Sequence, residues 1–373
     1  MSGQDFRQPA VCRLTVDGQE IADLARYLVE ARVETGRKEA AVCVLTFDAV
    51  RREDGSWLIQ DAGVFLPWKR FRIDADFGTY TEEVMRGFVR EVKADTPEQM
   101  GEAKVTVVCQ DESLLLDRQH IRKQWSTEDE PKSDGDIVRE IASGEFGFNV
   151  EADAGLSNAG LSQDGTYIQL LRDRAEANGY EFHVRAGTLY FQKPQLQADP
   201  QPALMIYAGN KTNCLKFTVS HDGHKPDEVG FVRAAGTGTG VEQQSFKPDM
   251  ATLGKQAATS EGMGLAPFAW QMPRPSGSTL EEAKARAQAK ANENAWKVVG
   301  DGELDGSLYG HVLLTHRPVG IYGVGETYGG LYYVDQVTHV FNATGYRQAF
   351  KLLRNATGRN SEPESADRLA MVR

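Results

Sequence analysis

Apolar and polar positions alternate with a period of two in short runs along residues 1–118, the pattern of strands that bury one face. The runs lie at 11–16, 41–47, 71–76, 87–94 and 104–110, separated by turn residues at Asp17-Gly18, Asp54-Gly55 and Asp95-Thr96-Pro97. One helix start, at 19–27, interrupts them, so a small β-barrel or sandwich is the economical reading of 1–118.

From 119 the period changes. QWSTEDEPKSDGD is a charged, proline-containing linker, after which Ser133 or Asp134 caps a helix whose Ile137, Val138, Ile141 and Ala142 form one stripe. Gly144 and Gly147 close it, and a short strand at 148–150 follows. The stretch QDGTYIQLLRDRAEANGYEFHVRAGTLYFQKP is then a helix signal followed directly by a hairpin signal. Thr166 and Gln169 make a T-x-x-Q capping box, Ile168, Leu171 and Ala175 share a face, and Asn178-Gly179 supplies the left-handed stop. Tyr180, Phe182 and Val184 alternate against Leu189 and Phe191 across Arg185-Ala186-Gly187-Thr188. Residues 119–200 therefore read as an inserted α/β module.

Strand patterns return at 203–208, 215–220 and 228–234, opening a second β domain over 201–355. Residues 236–278 are rich in Gly, Ser, Gln and Pro and read as a long arm. Its Phe268, Trp270 and Met272 are costly to leave in water, so the arm is expected to order against a neighbouring subunit or partner. Thr279 and Glu282 form another capping box, opening a helix at 279–297 with Leu280, Ala283, Ala287 and Ala291 along one side. Strands at 311–315, 320–322, 331–340 and 347–353 end the domain, and 356–373 is a polar tail. Gly87-Phe88-Val89-Arg90-Glu91-Val92, a turn and KVTVVCQD are echoed by Tyr332-Tyr333-Val334-Asp335-Gln336-Val337, a turn and YRQAFKLLRN, which suggests a duplicated barrel. The fold class is mainly β: two tandem barrel-like domains with an α/β insert.

Composition narrows the partners. The chain of 373 residues carries 53 acidic and 42 basic residues, a net charge of −11, and no Lys/Arg block that would track a phosphate backbone. Sequence-specific nucleic-acid binding is not expected. No run approaches the roughly 20 apolar residues needed to span a bilayer, and MSGQDFRQPAV has no signal-peptide pattern, so folding in a bacterial cytoplasm without membrane insertion is expected. Cys12, Cys43, Cys109 and Cys214 are scattered and read as reduced core residues.

The candidate chemical sites are thin. SHDGHKPDE gathers His221, Asp222, His224, Asp227 and Glu228, but its turn residues and lack of a third histidine favour a solvated loop over zinc. His339 reads as an oriented structural side chain, and GTGTG at 236–240 as a hinge, since it lacks the spacing of a phosphate-binding loop. Trp57, Trp68, Trp125, Trp270 and Trp296 belong to cores or interfaces. No catalytic constellation and no cofactor or metal site is expected, and the protein reads as a non-enzyme.

SDGDIVREIASGEFGF, the cassette that ends in RAGTLYF, and GGLYYVDQVTHVFNATGYRQAFKLLRN together resemble the late control D-type baseplate hub proteins of contractile phage tails, related to the amino-terminal half of VgrG proteins of type VI secretion. The motif residues that carry the resemblance are Thr166, Ile168, Gln169, Leu171, Asn178, Gly179, Tyr180, Phe182, Tyr333, Val334, Val337 and His339. The resemblance implies two tube-like β-barrels with a small α/β module between them, assembled as a homotrimer that joins the six-fold tail tube to a three-fold spike. Tube proteins, baseplate wedge components and a tape measure protein would be its neighbours, in a virion tail or injection particle. Unlike VgrG chains, the sequence ends about 20 polar residues after its last strand, so the spike is expected to be a separate polypeptide. The cassette also looks like a LysM module, which leaves a peptidoglycan-binding or muralytic tail protein as the alternative.

Overall fold

A computed structural model describes residues 9–234, 241–259, 264–273 and 279–359. The first β region comprises β1 (Val11–Val16), β2 (Gln19–Glu20), β3 (Leu28–Gly36), β4 (Val42–Asp48), β5 (Arg70–Asp76), β6 (Thr81–Asp95) and β7 (Lys104–Asp111). The alternation works as expected: on β7 the residues Val105, Val107 and Cys109 face inward, fully buried, while Thr106 and Val108 face out. The sequence pattern missed β3, whose Glu30, Arg32 and Glu34 disguise the buried Ala31 and Val33 between them. The helix start at 19–27 reduces to β2 and one turn at Ala22–Ala25.

The module contains α1 (Asp134–Ile141), β8 (Asn149–Ala152), α2 (Tyr167–Asn178), β9 (Glu181–Arg185) and β10 (Thr188–Gln192). These three strands form their own sheet, with β10 between a parallel β8 and an antiparallel β9, and two short strand pairs, Ile121–Gln124 with Ser162–Gly165 and Lys132–Ser133 with Ser157–Asn158, lie beside it in sequence. Both helices pack on that sheet around Ile137, Ile141, Leu171, Phe182 and Phe191.

The second region has β11 (Gln201–Met205), β12 (Cys214–His221), β13 (Glu228–Ala234), β14 (Val241–Phe246), β15 (Ala269–Gln271), α3 (Leu280–Asn294), β16 (Val298–Asp305), β17 (Pro318–Tyr322), β18 (Gly330–Asn342) and β19 (Gly345–Arg354). Residues 311–315, which alternate like a strand, form an extended loop held by Gln348, whose Oε1 accepts from the Leu313 amide at 2.8 Å. β16 escaped the sequence pattern because Gly300 and Gly302 interrupt it. Both glycines are required: a Cβ on Gly302 would sit 2.4 Å from Phe350 Cζ, and one on Gly300 2.8 Å from the Phe217 ring.

The two β regions share one 13-stranded sheet, with main path β12–β16–β19–β18–β3–β4–β7–β6–β5–β1–β2 and with β11 and β17 attached beside β18. The sequence reads as two separate barrels, and the difference lies in β3, which pairs with β18 from Gln336↔Gly36 to Asn342↔Glu30 and so bridges them. Among the described residues, neither half closes by strand pairing. The first half instead curls until Leu14 of β1 and Val33 of β3 join one core with Phe47, Ile73, Val89 and Val107.

The echo between β6–β7 and β18–β19 holds in three dimensions. Both hairpins shift register at the same point of the echoed motif, between Val89 and Glu91 in one and between Val334 and Gln336 in the other. A bulge bends a strand around an extra residue, here Arg90 and Asp335.

The described part of 236–278 departs from an unpacked arm. β14 and β15 flank β13 in a three-stranded sheet that covers α3, with Val229 and Phe231 against Ala283, Ala287 and Ala291, and Met272 packs beside them. Small residues on α3 let the sheet approach closely. Trp270 stays 56% exposed, so this one side chain remains available for an outside contact. Residues 235–240, including the glycine run, and the tail beyond 359 lie outside the described residues.

All four cysteines are free thiols, with Cys43 opposite Cys109 on β4 and β7. Burial pushes the Cys12 thiol up to about 12 and Cys214 to about 11, and it lifts Cys43 and Cys109 as well. Only the thiolate reacts. The folded chain is therefore expected to resist iodoacetamide at pH 8, and all four cysteines to alkylate after unfolding without reductant. A mass spectrum with a protected pair after unfolding would contradict this.

Candidate functional site

The module is built around a buried carboxylate. Ser133 caps α1, accepting from the Asp136 amide at 3.1 Å, and the next residue, Asp134, turns inward with no side-chain exposure. Its two oxygens accept from Arg174 Nε at 2.7 Å and Nη2 at 3.1 Å, from Asn158 Nδ2 at 2.8 Å and from Asn178 Nδ2 at 2.7 Å. Four donors satisfy the charge, which is what permits its burial. Arg174 also reaches Glu282 on α3 at 3.3 Å, tying the module to the second β region.

The motif residues of the cassette serve this scaffold. Thr166 Oγ1 accepts from the Gln169 amide while Gln169 Oε1 accepts from the Thr166 amide, a reciprocal box; Ile168 and Leu171 enter the core. Asn178 does more than precede the stop, because its side chain holds Asp134 and also accepts from the Leu156 amide at 2.8 Å. Gly179 takes φ 67 and lies against α3, where a Cβ would come within 2.9 Å of Ala289 Cβ. The Tyr180 ring meets Phe191 edge-on, and Phe182 is buried.

The cassette and the closing strands meet at Arg37, in the turn between β3 and β4. Arg37 is 6% exposed and faces carboxylates from three elements. Its Nη2 donates to both oxygens of Glu293 on α3 at 3.0 Å, its Nε to Asp335 on β18 at 3.2 Å, and its Nη1 approaches Glu181 on β9 at 3.5 Å. Tyr333 donates to the other Glu181 oxygen at 2.6 Å, and its ring stacks on Trp296 at 5.9 Å. Tyr333 and Asp335 share this side by plain alternation, and the bulge between Val334 and Gln336 is what returns Val337 to the side of Val334. Val334 and Val337 point the other way, into the core with Phe350 and Leu352.

The electrostatics follow from burial. Burial disfavours the Arg37 charge, but Glu293, Glu181 and Asp335 more than reverse this and hold the guanidinium protonated. Burial pushes Glu181 up to about 7 against the pull of Arg37 and Tyr333. Glu293 feels burial too, yet Arg37 and Lys38 outweigh it and hold the carboxyl below its ordinary value. Beside this network runs a cleft of about 550 Å³, lined by Lys38, Arg172, Phe182, Met250, Lys290 and Trp296.

The other candidates are dispersed. His339 is buried, with Nδ1 2.9 Å from Tyr346 Oη, and burial brings it down to about 3. His221 packs edge-on to Tyr328 and His224 lies over Phe268. Asp227 leaves the expected solvated loop altogether, forming a buried ion pair with Lys297, while Glu228 accepts from Ser245 at 2.8 Å. Among the described residues, no three His, Cys, Asp or Glu side chains are placed to hold one metal ion, and no helix is long and apolar enough to cross a membrane. Trp125 and Trp296 are buried, whereas Trp68 is 47% exposed beneath Arg118.

The sequence reading missed Arg37, Glu181, His183, Glu293, Asp335 and His316. The signal available for Glu181 and His183 was their alternation with Tyr180, Phe182 and Val184, which marks them as one face of β9 without saying what covers that face.

A family model described as Alg8 N-terminal domain matches residues 8–342. No curated protein matches the chain in sequence. Among solved structures the chain is similar to the prophage MuSo2 43 kDa tail protein from Shewanella oneidensis, at 13% identity and a TM-score of 0.68, over 93% of this chain and 99% of that one. It is similar to the tail protein from Neisseria meningitidis MC58, at 12% identity and a TM-score of 0.63, over 93% and 97% of the two chains. A third is the E. coli c3393 protein, a component of the type VI secretion system with structural similarity to T4 bacteriophage tail proteins gp27 and gp5, at 11% identity and a TM-score of 0.53, over 95% and 79%. At these identities the likeness is one of fold, and it spans nearly the whole chain.

Proposed function

The chain belongs to the Alg8 N-terminal domain family, and from its tail-protein fold we propose that it is a structural hub of a contractile tail or injection apparatus, a trimeric adaptor between a six-fold tube and a three-fold spike. The observation that carries the reading is the repeated hairpin, bulged at equivalent positions, in each half of one continuous sheet. A hexameric ring and a trimer cannot make equivalent contacts unless something between them presents both symmetries. Three copies of a chain with two similar β halves place six such units around one axis. The module and α3, which have no counterpart in the first half, keep the other face strictly three-fold.

Partners on this reading are a second and third copy, a separate spike, tube proteins, wedge components and a tape measure protein. A net charge of −11 disfavours retention of DNA moving through a central channel. The role is structural, with no chemical step assigned to any residue; clearing in a peptidoglycan zymogram would overturn that and favour a muralytic protein.

Light scattering of the purified chain, alone and with its spike, tests the adaptor. A trimer is the expected result, formed by the chain itself or on the spike. A stable monomer bound singly to a spike trimer, or a hexamer, rules the mechanism out.

A further inference from the structure

We propose that the stacked pair His183–His316 is an acid-sensitive latch that fastens the α/β module to the large sheet and opens when the rings become charged. His183 lies on β9 of the module, and His316 lies in the loop that leads into β17. Their rings are stacked with centroids 3.7 Å apart and planes 17° from parallel, and Tyr190 covers the other face of His183 at 4.6 Å. Two neutral imidazoles pack well at this separation. Two imidazolium rings repel, and this repulsion is poorly screened in a partly dry junction.

The hydrogen bonds are compatible with the neutral forms. His316 Nε2 donates to the Arg37 carbonyl at 3.2 Å while its Nδ1 lies 3.0 Å from Thr315 Oγ1, and His316 sits at φ 64, a backbone conformation costly for a non-glycine residue. Among the described residues, His183 Nδ1 is enclosed without a hydrogen-bond partner, so a proton there has no acceptor waiting. A cavity of about 60 Å³ adjoins the pair, room for about two waters.

The groups around the stack are Arg37 and Glu39 in the β3–β4 turn, Glu83 and Arg86 on β6, Asp111 at the end of β7, Arg185 on β9 and His339 on β18. Glu83 is engaged by Arg72 and Arg86, and Asp111 by the Ala41 amide and Ser113. Burial, together with His316 and Arg185, depresses His183 well below its ordinary value. Burial foremost, then Arg185 and Arg37, brings His316 down to about 3, against the Arg37 carbonyl bond.

Both histidines therefore contribute stability that is present above about pH 6.5, their value in an open module, and is lost as pH falls towards the folded value. Glu181, pushed up to about 7, and Asp111, pushed up to about 6, work in the opposite direction, because the closed state takes up their protons. Total stability mixes these signs. The comparison of wild type with histidine variants isolates the latch.

The test is hydrogen exchange of β9 and β10 amides in the full chain from pH 7 to 5, corrected for the intrinsic pH dependence, on wild type, His183→Phe and His183→Phe/His316→Phe. In wild type, the opening equilibrium relative to the double variant should rise about tenfold per pH unit for each histidine that charges on opening, so up to about a hundredfold per unit below pH 6. His183→Phe preserves the stack and the Arg37 carbonyl bond and should lose one of those two factors, which keeps the test valid if the double variant folds poorly. β4 and β7 amides should show no such difference. Equal pH profiles in wild type and His183→Phe, or an imidazolium signal from either histidine at pH 7 in the NMR spectrum of the folded chain, overturns the latch.

Discussion

Replacing Arg37 by alanine is expected to lower stability by about 3–5 kcal/mol, the range for removing one partner of a buried ion pair and stranding the other. The stranded carboxylates are Glu181 at 3% side-chain exposure, Asp335 at 14% and Glu293 at 35%. Asp335 retains Lys351 at 3.9 Å and Glu293 retains Lys38 at 2.8 Å, so the loss concentrates on Glu181, which among the described residues keeps Tyr333 alone. Its folded value, already pushed up to about 7 by burial, must rise further without Arg37. A group raised on folding contributes fully below its unfolded value and costs stability as pH climbs through the folded one. The deficit of Arg37→Ala should accordingly be larger at pH 8 than at pH 6. Urea unfolding at the two values measures it. A shift below about 1 kcal/mol at pH 8 would mean that the junction does not lock the β halves, α3 and the module together. Arg37→Lys should recover only part of the loss, since an ammonium cannot serve three carboxylates with the geometry of the guanidinium fork.

Asp134→Ala is expected to cost a similar amount, about 3–5 kcal/mol, confined to the module. The substitution leaves Arg174, 8% exposed, with Glu282 as a carboxylate partner, and takes their shared acceptor from the Asn158 and Asn178 amide groups, which keep backbone carbonyls. Because the module has its own sheet and core, the loss should appear as faster exchange in α1, α2 and β9 with β4 and β7 still protected. Uniform destabilisation of both would show that module and sheet unfold as one unit. The two substitutions together separate the junction from the module, since a chain with a loosened module should still keep its large sheet.

Part of this molecule could be read directly. The capping box at Thr166 and Gln169, the left-handed Gly179 and the hairpin from Tyr180 to Phe191 are local devices, decided by residues three or four apart. The echo of two bulged hairpins was visible because each repeats the spacing of its inward side chains. The strand that joins the halves was not visible. β3 carries a charge at every second position, and the partner that makes its other face a core, β18, lies about 300 residues away in sequence. β16 failed for a different reason: its glycines make room for Phe217 and Phe350, a packing demand from strands that local propensity does not register.

By itself, then, the sequence determined the mainly β class, the α/β insert, the caps and turns, and the duplicated hairpin, all of which rest on periodicity and short-range hydrogen bonds. Only the tertiary structure decided that the β halves form one sheet and that Arg37 gathers Glu181, Glu293 and Asp335 in one buried site. It also decided that His183 stacks on His316. The physical reason is that alternation fixes which face of a strand a side chain takes, whereas burial of a charged face depends on what arrives from elsewhere in the chain. Glu181 and His183 occupy the face of β9 that alternation alone assigns to water, and they leave water only because the β3–β4 turn, α3 and the loop before β17 close over them.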